Sequence, residues 1–243
     1  MQRRISRWLA VLAILSVAGA EKAYAQSGGA DHAMQFRFGR FFPEGGGEFW
    51  DESQDVFTLK ISDFDEFMWG SSYVRSLSNH FEVGLNIDVY QETVGSSYKD
   101  FVDSNLRPIL HDSELEMIPL TVDVRFLPAG RYRMRGSGKR VLKPAFYIGA
   151  GIGVNFWDYE ERGDFLDFTF DPPEIFFDVF RDDGEAFQAH ALIGLDLPVS
   201  PRFNWQFQGR YTWADDDLGG AFSGLGKIEL GGAAAFVGGS VRF

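Results

Sequence analysis

Eight segments of the chain alternate apolar and polar residues with a period of two, the mark of strands with two unlike faces. The clearest is 203–213, where Phe203, Trp205, Phe207, Gly209, Tyr211 and Trp213 stand against Asn204, Gln206, Gln208, Arg210 and Thr212. Segment 34–42 sets Met34, Phe36 and Phe38 against Gln35, Arg37 and Gly39, and 81–93 sets Phe81, Val83, Leu85, Ile87 and Val89 against Glu82, Gly84, Asn86, Asp88 and Tyr90. Segment 115–127 opposes Ile118, Leu120, Val122, Val124 and Phe126 to Pro119, Thr121, Asp123 and Arg125. In 144–159 the two rows are Phe146, Ile148, Ala150, Ile152 and Val154 against Tyr147, Gly149, Gly151, Gly153 and Asn155. Segment 187–197 opposes Ala189, Ala191, Ile193 and Leu195 to Gln188, His190, Gly194 and Asp196; 227–243 opposes Ala233, Ala235, Val237, Val241 and Phe243 to Phe236, Ser240 and Arg242. Segment 67–75 alternates too poorly for its faces to be assigned.

Strands of about ten residues match the span a tilted strand needs to cross a bilayer. The connections alternate in length: 76–80 and 198–201 are short, whereas 43–66, 94–114, 160–186 and 214–226 are long. Short turns at one end and long loops at the other suit an up-and-down barrel in a membrane.

The aromatic row of 203–213 needs an apolar neighbour, since each such side chain is worth roughly 1.5–3 kcal/mol when buried. A soluble calyx would supply a core, and a membrane barrel would supply lipid. A soluble barrel needs a polar skin rich in Lys and Glu, yet the polar rows of the fifth and eighth segments are mostly Gly, Ala and Ser. Small residues suit the crowded interior of an eight-stranded barrel. The apolar rows carry no acid in mid-segment, as expected where a charge at the bilayer centre is costly. The aromatics therefore face lipid, and the chain reads as all-β: an eight-stranded antiparallel up-and-down transmembrane β-barrel.

Composition adds the address. The start, MQRRISRWLAVLAILSVAGAEKAYA, has Arg3, Arg4 and Arg7, an apolar run from Trp8 to Ala20, and an A-x-A site at 23–25. This is the layout of a secretory signal peptide over 1–25, since the run is too short to span a membrane as a helix. A short tail at 26–33 then leads into a barrel at 34–243. Removing 1–25 takes away four of the 23 basic residues and one of the 35 acids, leaving a net charge of −15. Nucleic acid is excluded as a partner by that sign. With no cysteine, an exported chain must hold together without disulfides.

Terminal Phe243, alternation stepping back from it, the export signal and eight such strands resemble the small outer-membrane barrels of Gram-negative bacteria, of the OmpA-transmembrane, OmpX and OmpW kind. The resemblance covers 34–243 and implies an integral outer-membrane protein, with Phe243 as the residue read by the barrel-assembly machinery. It also implies lipopolysaccharide and outer-membrane lipids as surroundings, no cofactor, and a monomer. Its OmpW branch would favour passage of small apolar solutes.

Facing inward, Arg37, Arg125, Arg210 and Arg242 meet Glu82, Asp88, Asp123 and Asp196. Such charges pair in a low-dielectric interior. They form either a structural network plugging the barrel or a charged constriction for ions or small solutes. The long acidic loops read as a solvated skin or as a surface held by divalent cations among lipopolysaccharide headgroups. The apolar stretch 165–180 reads as a hairpin rim, a lid over the mouth, or a contact surface. Segment 131–143, RYRMRGSGKRVLK, is long and basic for the short-turn end. It reads as a solubilising periplasmic hairpin or an anchor for acidic groups. Catalysis is not expected. His111 in HDSE has triad residue types beside it, but neighbours in sequence do not converge on one point, and IGAGIG at 148–153 lies inside a strand. A structural or weakly conducting barrel is the expected function; the alternatives are a surface binding or adhesion barrel, a lipid-modifying enzyme, or a soluble lipocalin-like carrier.

Overall fold

The computed structural model describes residues 31–134, 136 and 140–243. The expected signal peptide and most of the expected tail lie outside the described residues. The strands are β1 (His32–Pro43), β2 (Glu66–Ser76), β3 (Phe81–Val102), β4 (Pro108–Phe126), β5 (Tyr132–Met134), β6 (Arg140–Leu142), β7 (Ala145–Asp167), β8 (Glu174–Pro198), β9 (Phe203–Asp217), β10 (Lys227–Glu229) and β11 (Gly232–Arg242). One helix, α1 (Glu48–Val56), lies between β1 and β2.

Eight of these strands close a ring in the order β1-β2-β3-β4-β7-β8-β9-β11, and β11 returns to β1. Every pairing in the ring is antiparallel. Closure runs to the last residue, where His32 and Phe243 exchange backbone hydrogen bonds of 3.2 and 2.9 Å. A ring without edges satisfies its backbone internally, the condition for strands in hydrocarbon.

The rows face as the alternation requires. Phe36, Leu85, Val122, Ile152, Ile193 and Phe207 open outward, with Ile152 60% exposed, whereas Gln35, Arg37, Asn86, Asp123, Gln188 and Gln206 are buried. The register also settles β2: Phe67, Trp69 and Tyr73 face out, while Met68, Gly70, Ser72 and Val74 face in. A continuous apolar belt of this size on a closed barrel is a lipid-facing surface. It rules out the soluble calyx, whose apolar rows would be inside. The inward glycines of β7 let β4 approach: a Cβ at Gly151 would stand 2.5 Å from the Val122 carbonyl oxygen and 2.6 Å from the His190 ring.

Three elements differ from the sequence expectation. The last segment is two strands, broken at Leu230–Gly231, because β10 leaves β11's line to pair with the upper end of β9. Two of the four long connections are mostly strand. β3, β4, β7 and β8 run for 22, 19, 23 and 25 residues, about twice the 9–11 a tilted strand needs in a bilayer. Residues 165–180 form the upper end of a β7–β8 hairpin, as the rim reading expects. The first long connection carries α1 and a 3₁₀ turn, Ile61–Phe64, which fold into the mouth of the ring. Below, β5 and β6 form a separate two-stranded hairpin.

Candidate functional site

The lumen is built in tiers, each supplied by inward positions of strands far apart in sequence. At the end carrying the termini, the Glu82 carboxylate accepts from Arg131 Nε at 3.1 Å, Arg131 Nη2 at 2.5 Å and Arg242 Nη2 at 2.8 Å. Arg131 Nη1 donates to Asp196. Arg131 is 1% exposed. This corrects the expectation that the whole of 131–143 faces the periplasm: Arg131 turns up into the barrel. Gly130 makes the turn possible with φ of 78°, and Asn79 Oδ1 fixes it by accepting from the backbone N–H of Arg131 and Tyr132 at 3.1 and 2.8 Å.

In the next tier Arg125 forms a fork on Asp123, Nε to Oδ1 at 3.0 Å and Nη2 to Oδ2 at 3.1 Å, and donates through Nη1 to Gln35 at 2.8 Å. Asn86 donates to Asp123 at 3.0 Å, and the Arg125 guanidinium lies 5.3 Å from the Tyr147 ring centre. Above it, Asp88 accepts from Arg37 Nε at 2.9 Å, Arg37 Nη2 at 2.6 Å and Arg210 Nη1 at 2.6 Å. Phe236 lies between the two guanidiniums, 5.5 and 5.2 Å from them. Asp88 sits where the β3–β4 ladder lapses: pairing runs from Ile87–Leu120 directly to Tyr90–Met117. Pro119, which has no N–H to give, occupies the gap.

All eight charges expected in the lumen are buried there, and each has at least one opposite partner. The ninth charge, Arg131, was missed. His190 is 2% exposed and points inward as expected.

The polar tiers end at an aromatic plug, which sequence reasoning also missed. Phe49 and Trp50 of α1 pack edge-on against Tyr159, with ring centres 5.1 and 5.9 Å away, and Phe222 and Phe64 complete the cluster. Trp50 Nε1 donates to the Glu229 carbonyl at 3.0 Å, so the indole is satisfied as well as buried. Where plug meets ion pairs, a cavity of about 10 Å³ remains, lined by Met117, Pro119, Asn155, Gln188, Arg210 and Thr212 among others. That is about one water molecule. A second cavity of about 370 Å³ lies outside the lumen, beneath the β2–β3 turn and the β5–β6 hairpin.

His111 lies above the belt. Its Nε2 is 3.0 Å from Ser96 Oγ, but Nδ1 has no hydrogen-bond partner among the described residues, and the Phe57 ring covers the imidazole at 4.0 Å. Within HDSE, His111 and Ser113 point inward and Asp112 and Glu114 outward, so the four do not converge. Burial pushes the His111 imidazole down to about 4. Glu161, also buried, is pushed up to about 6 by burial, and Tyr159 donates to it at 2.8 Å.

No family model and no curated protein matches the chain. Among solved structures it is similar to the outer membrane protein OprG of Pseudomonas aeruginosa, at 12% identity over 88% of this chain and 96% of that one, with a TM-score of 0.47. It is similar also to the N-terminal β-barrel domain of OprF from the same organism, at 12% identity over 89% and 100% of the two chains and a TM-score of 0.40. A third is the attachment invasion locus protein Ail of Yersinia pestis, at 12% identity over 87% and 96% and a TM-score of 0.40.

Proposed function

We propose that this outer-membrane barrel is a sealed, structural one: a rigid membrane stave that holds a head of long hairpins above the surface and passes no solute through its lumen. One observation carries the reading: the blockade is continuous. Arg131 and its partners fill the lower end, two further ion-pair tiers fill the middle, and Trp50, Phe49 and Phe64 close the top. Passage would require withdrawing guanidiniums from carboxylates in a water-poor interior, at several kcal/mol for each uncompensated ion. Catalysis has no place in this reading, because the Ser96–His111 contact lacks an acid on Nδ1 and is covered by Phe57.

The test is single-channel recording on pure protein in planar bilayers. The wild type is expected to be silent, as is Asp123→Ala with Arg125→Ala, because the plug above and Arg131 below still stand. Discrete steps from the wild type would overturn the proposal. A second reading, a surface-binding barrel, is favoured by the hairpins themselves, since four strands extend far beyond what spanning requires.

A further inference from the structure

We propose that the outer face of the β7–β8 hairpin, above the membrane belt, is a docking surface for a cationic amphipathic polypeptide. The register places acids opposite acids. Across β4, β7 and β8, Glu116 pairs with Asp158 and Asp158 with Asp183; the next row sets Glu114 against Glu160. Like charges directly opposite one another destabilise a sheet. With Glu185, six carboxylates occupy this band, and among the described residues Arg162 pairs with Glu160 at 2.9 Å and Arg181 with Asp158. A surface left with this excess is completed by positive charge from outside.

Directly above the band the outward row of β8 turns apolar, beside Arg162, Asp164 and Leu166 on the facing row of β7. Val179, Phe177 and Ile175 follow one another on the outward row of β8, and Leu110 stands nearby on β4. Phe177 is 66% and Leu110 62% exposed. The charged rows separate this strip from the lipid belt, so hydrocarbon does not cover it. Val179 and Asp183 are four residues apart along a strand, about 13 Å. A helix is about 10–12 Å across, so one helix lying over the hairpin would set its apolar side on the strip and its bases on the band.

The surroundings fix the sign of the partner. Segments 44–66, 91–116, 157–186 and 214–231 contain 29 acids against six bases. A second copy of this head would be repelled, and an acidic partner likewise. The proposal does not rest on the closed lumen, and peptide binding and conductance are measured separately.

The experiment uses the intact barrel in phosphatidylcholine nanodiscs and two fluorescent synthetic peptides of equal charge, a Leu–Lys amphipathic helix and a Ser–Lys control. Anisotropy should give at least about tenfold tighter binding of the Leu–Lys peptide to loaded than to empty discs, and about tenfold tighter than the control. Ile175→Ser with Phe177→Ser should reduce the first peptide to the level of the control. Glu114→Gln with Asp183→Asn should weaken both and flatten the salt dependence. All four positions are on the surface, and retained heat-modifiable gel mobility reports folding. A photo-crosslinking Leu–Lys peptide on the wild type should label 174–187. Equal affinity of the two peptides, binding no better than to empty discs, variants that bind as the wild type does, or labelling confined to other segments would each overturn the proposal.

Discussion

Replacing Arg131 with Ala should be among the most damaging single changes to this barrel, although Arg131 belongs to a turn. Among the described residues its guanidinium is the one cation paired with Asp196 and one of two on Glu82, whose other cationic partner is Arg242. Glu82 and Asp196 are 1% and 0% exposed. Breaking a buried pair by removing one member costs about 3–5 kcal/mol, because the charge left behind is neither solvated nor paired. Asp196 carries most of that penalty, since Glu82 keeps Arg242. Two controls separate this from a general effect of the turn. Arg133→Ala, on the exposed hairpin, should change stability by less than about 0.5 kcal/mol. Asp196→Asn introduced into Arg131→Ala should recover about 1–3 kcal/mol by removing the orphaned charge. The assay is denaturant unfolding in phosphatidylcholine vesicles followed by tryptophan fluorescence. A loss below about 1 kcal/mol for Arg131→Ala, or no recovery in the double variant, would refute the reasoning.

Three further outcomes are expected. Trp50→Ala should cost about 3–5 kcal/mol by opening a cavity in the aromatic plug and freeing the Glu229 carbonyl, measured in the same unfolding assay. Val122→Arg, at the middle of the lipid-facing part of β4, should cost about 2–4 kcal/mol in vesicles, as a charge in hydrocarbon does. The Glu161 carboxyl, raised by burial from 4.5 to about 6, binds its proton more tightly in the folded protein, so its contribution is full below pH 4.5 and is lost as pH rises through 6. Glu161→Gln should therefore outlast the wild type by about 2 kcal/mol at pH 8 and by less than about 0.5 kcal/mol at pH 4.5, in unfolding curves at the two pH values. His111, lowered to about 4, acts in the opposite sense, losing stability as pH falls from 6.5 to 4, and contributes equally to both proteins.

The membrane part of the fold was legible because a period of two reports the face of a residue regardless of its partner. Once the aromatics were assigned to lipid, Arg37, Glu82, Asp88, Asp123, Arg125, Asp196, Arg210 and Arg242 had to share the interior. Arg131 was not legible: it lies in a turn, where no period operates. Its direction comes from a positive φ at Gly130 and from Asn79, more than fifty residues away. The plug was hidden for a related reason. The α1 sequence EFWDESQDV has four acids in nine residues and reads as a solvated loop. Tyr159, Phe222 and the Glu229 carbonyl, all distant in sequence, join Phe64 in giving Phe49 and Trp50 something to be buried against.

The extension of β3 and β4 was missed, and that of β7 and β8 was one reading among three, for a reason that also bears on the proposed seal. Above the belt the period of two continues, but the apolar row changes sides. On β7 the outward row passes from Val154 and Phe156 to Asp158 and Glu160, while the inward row passes from Gly153 and Asn155 to Trp157 and Tyr159. On β4 the outward row passes from Ile118 to Glu116 and the inward row from Thr121 to Met117 and Leu115. The changes fall on paired residues: Phe156 faces Ile118, Trp157 faces Met117, and Met117 faces Tyr90 on β3. Packing inside a single barrel gives no reason for neighbouring strands to exchange faces at one level, whereas a change of solvent from hydrocarbon to water does. A ring standing in water has to bury its apolar row inward, and it closes on itself when it does so. The aromatic plug is thus the core that the upper half of the barrel needs in order to stand outside the membrane, and the sealed lumen we propose would follow from that need.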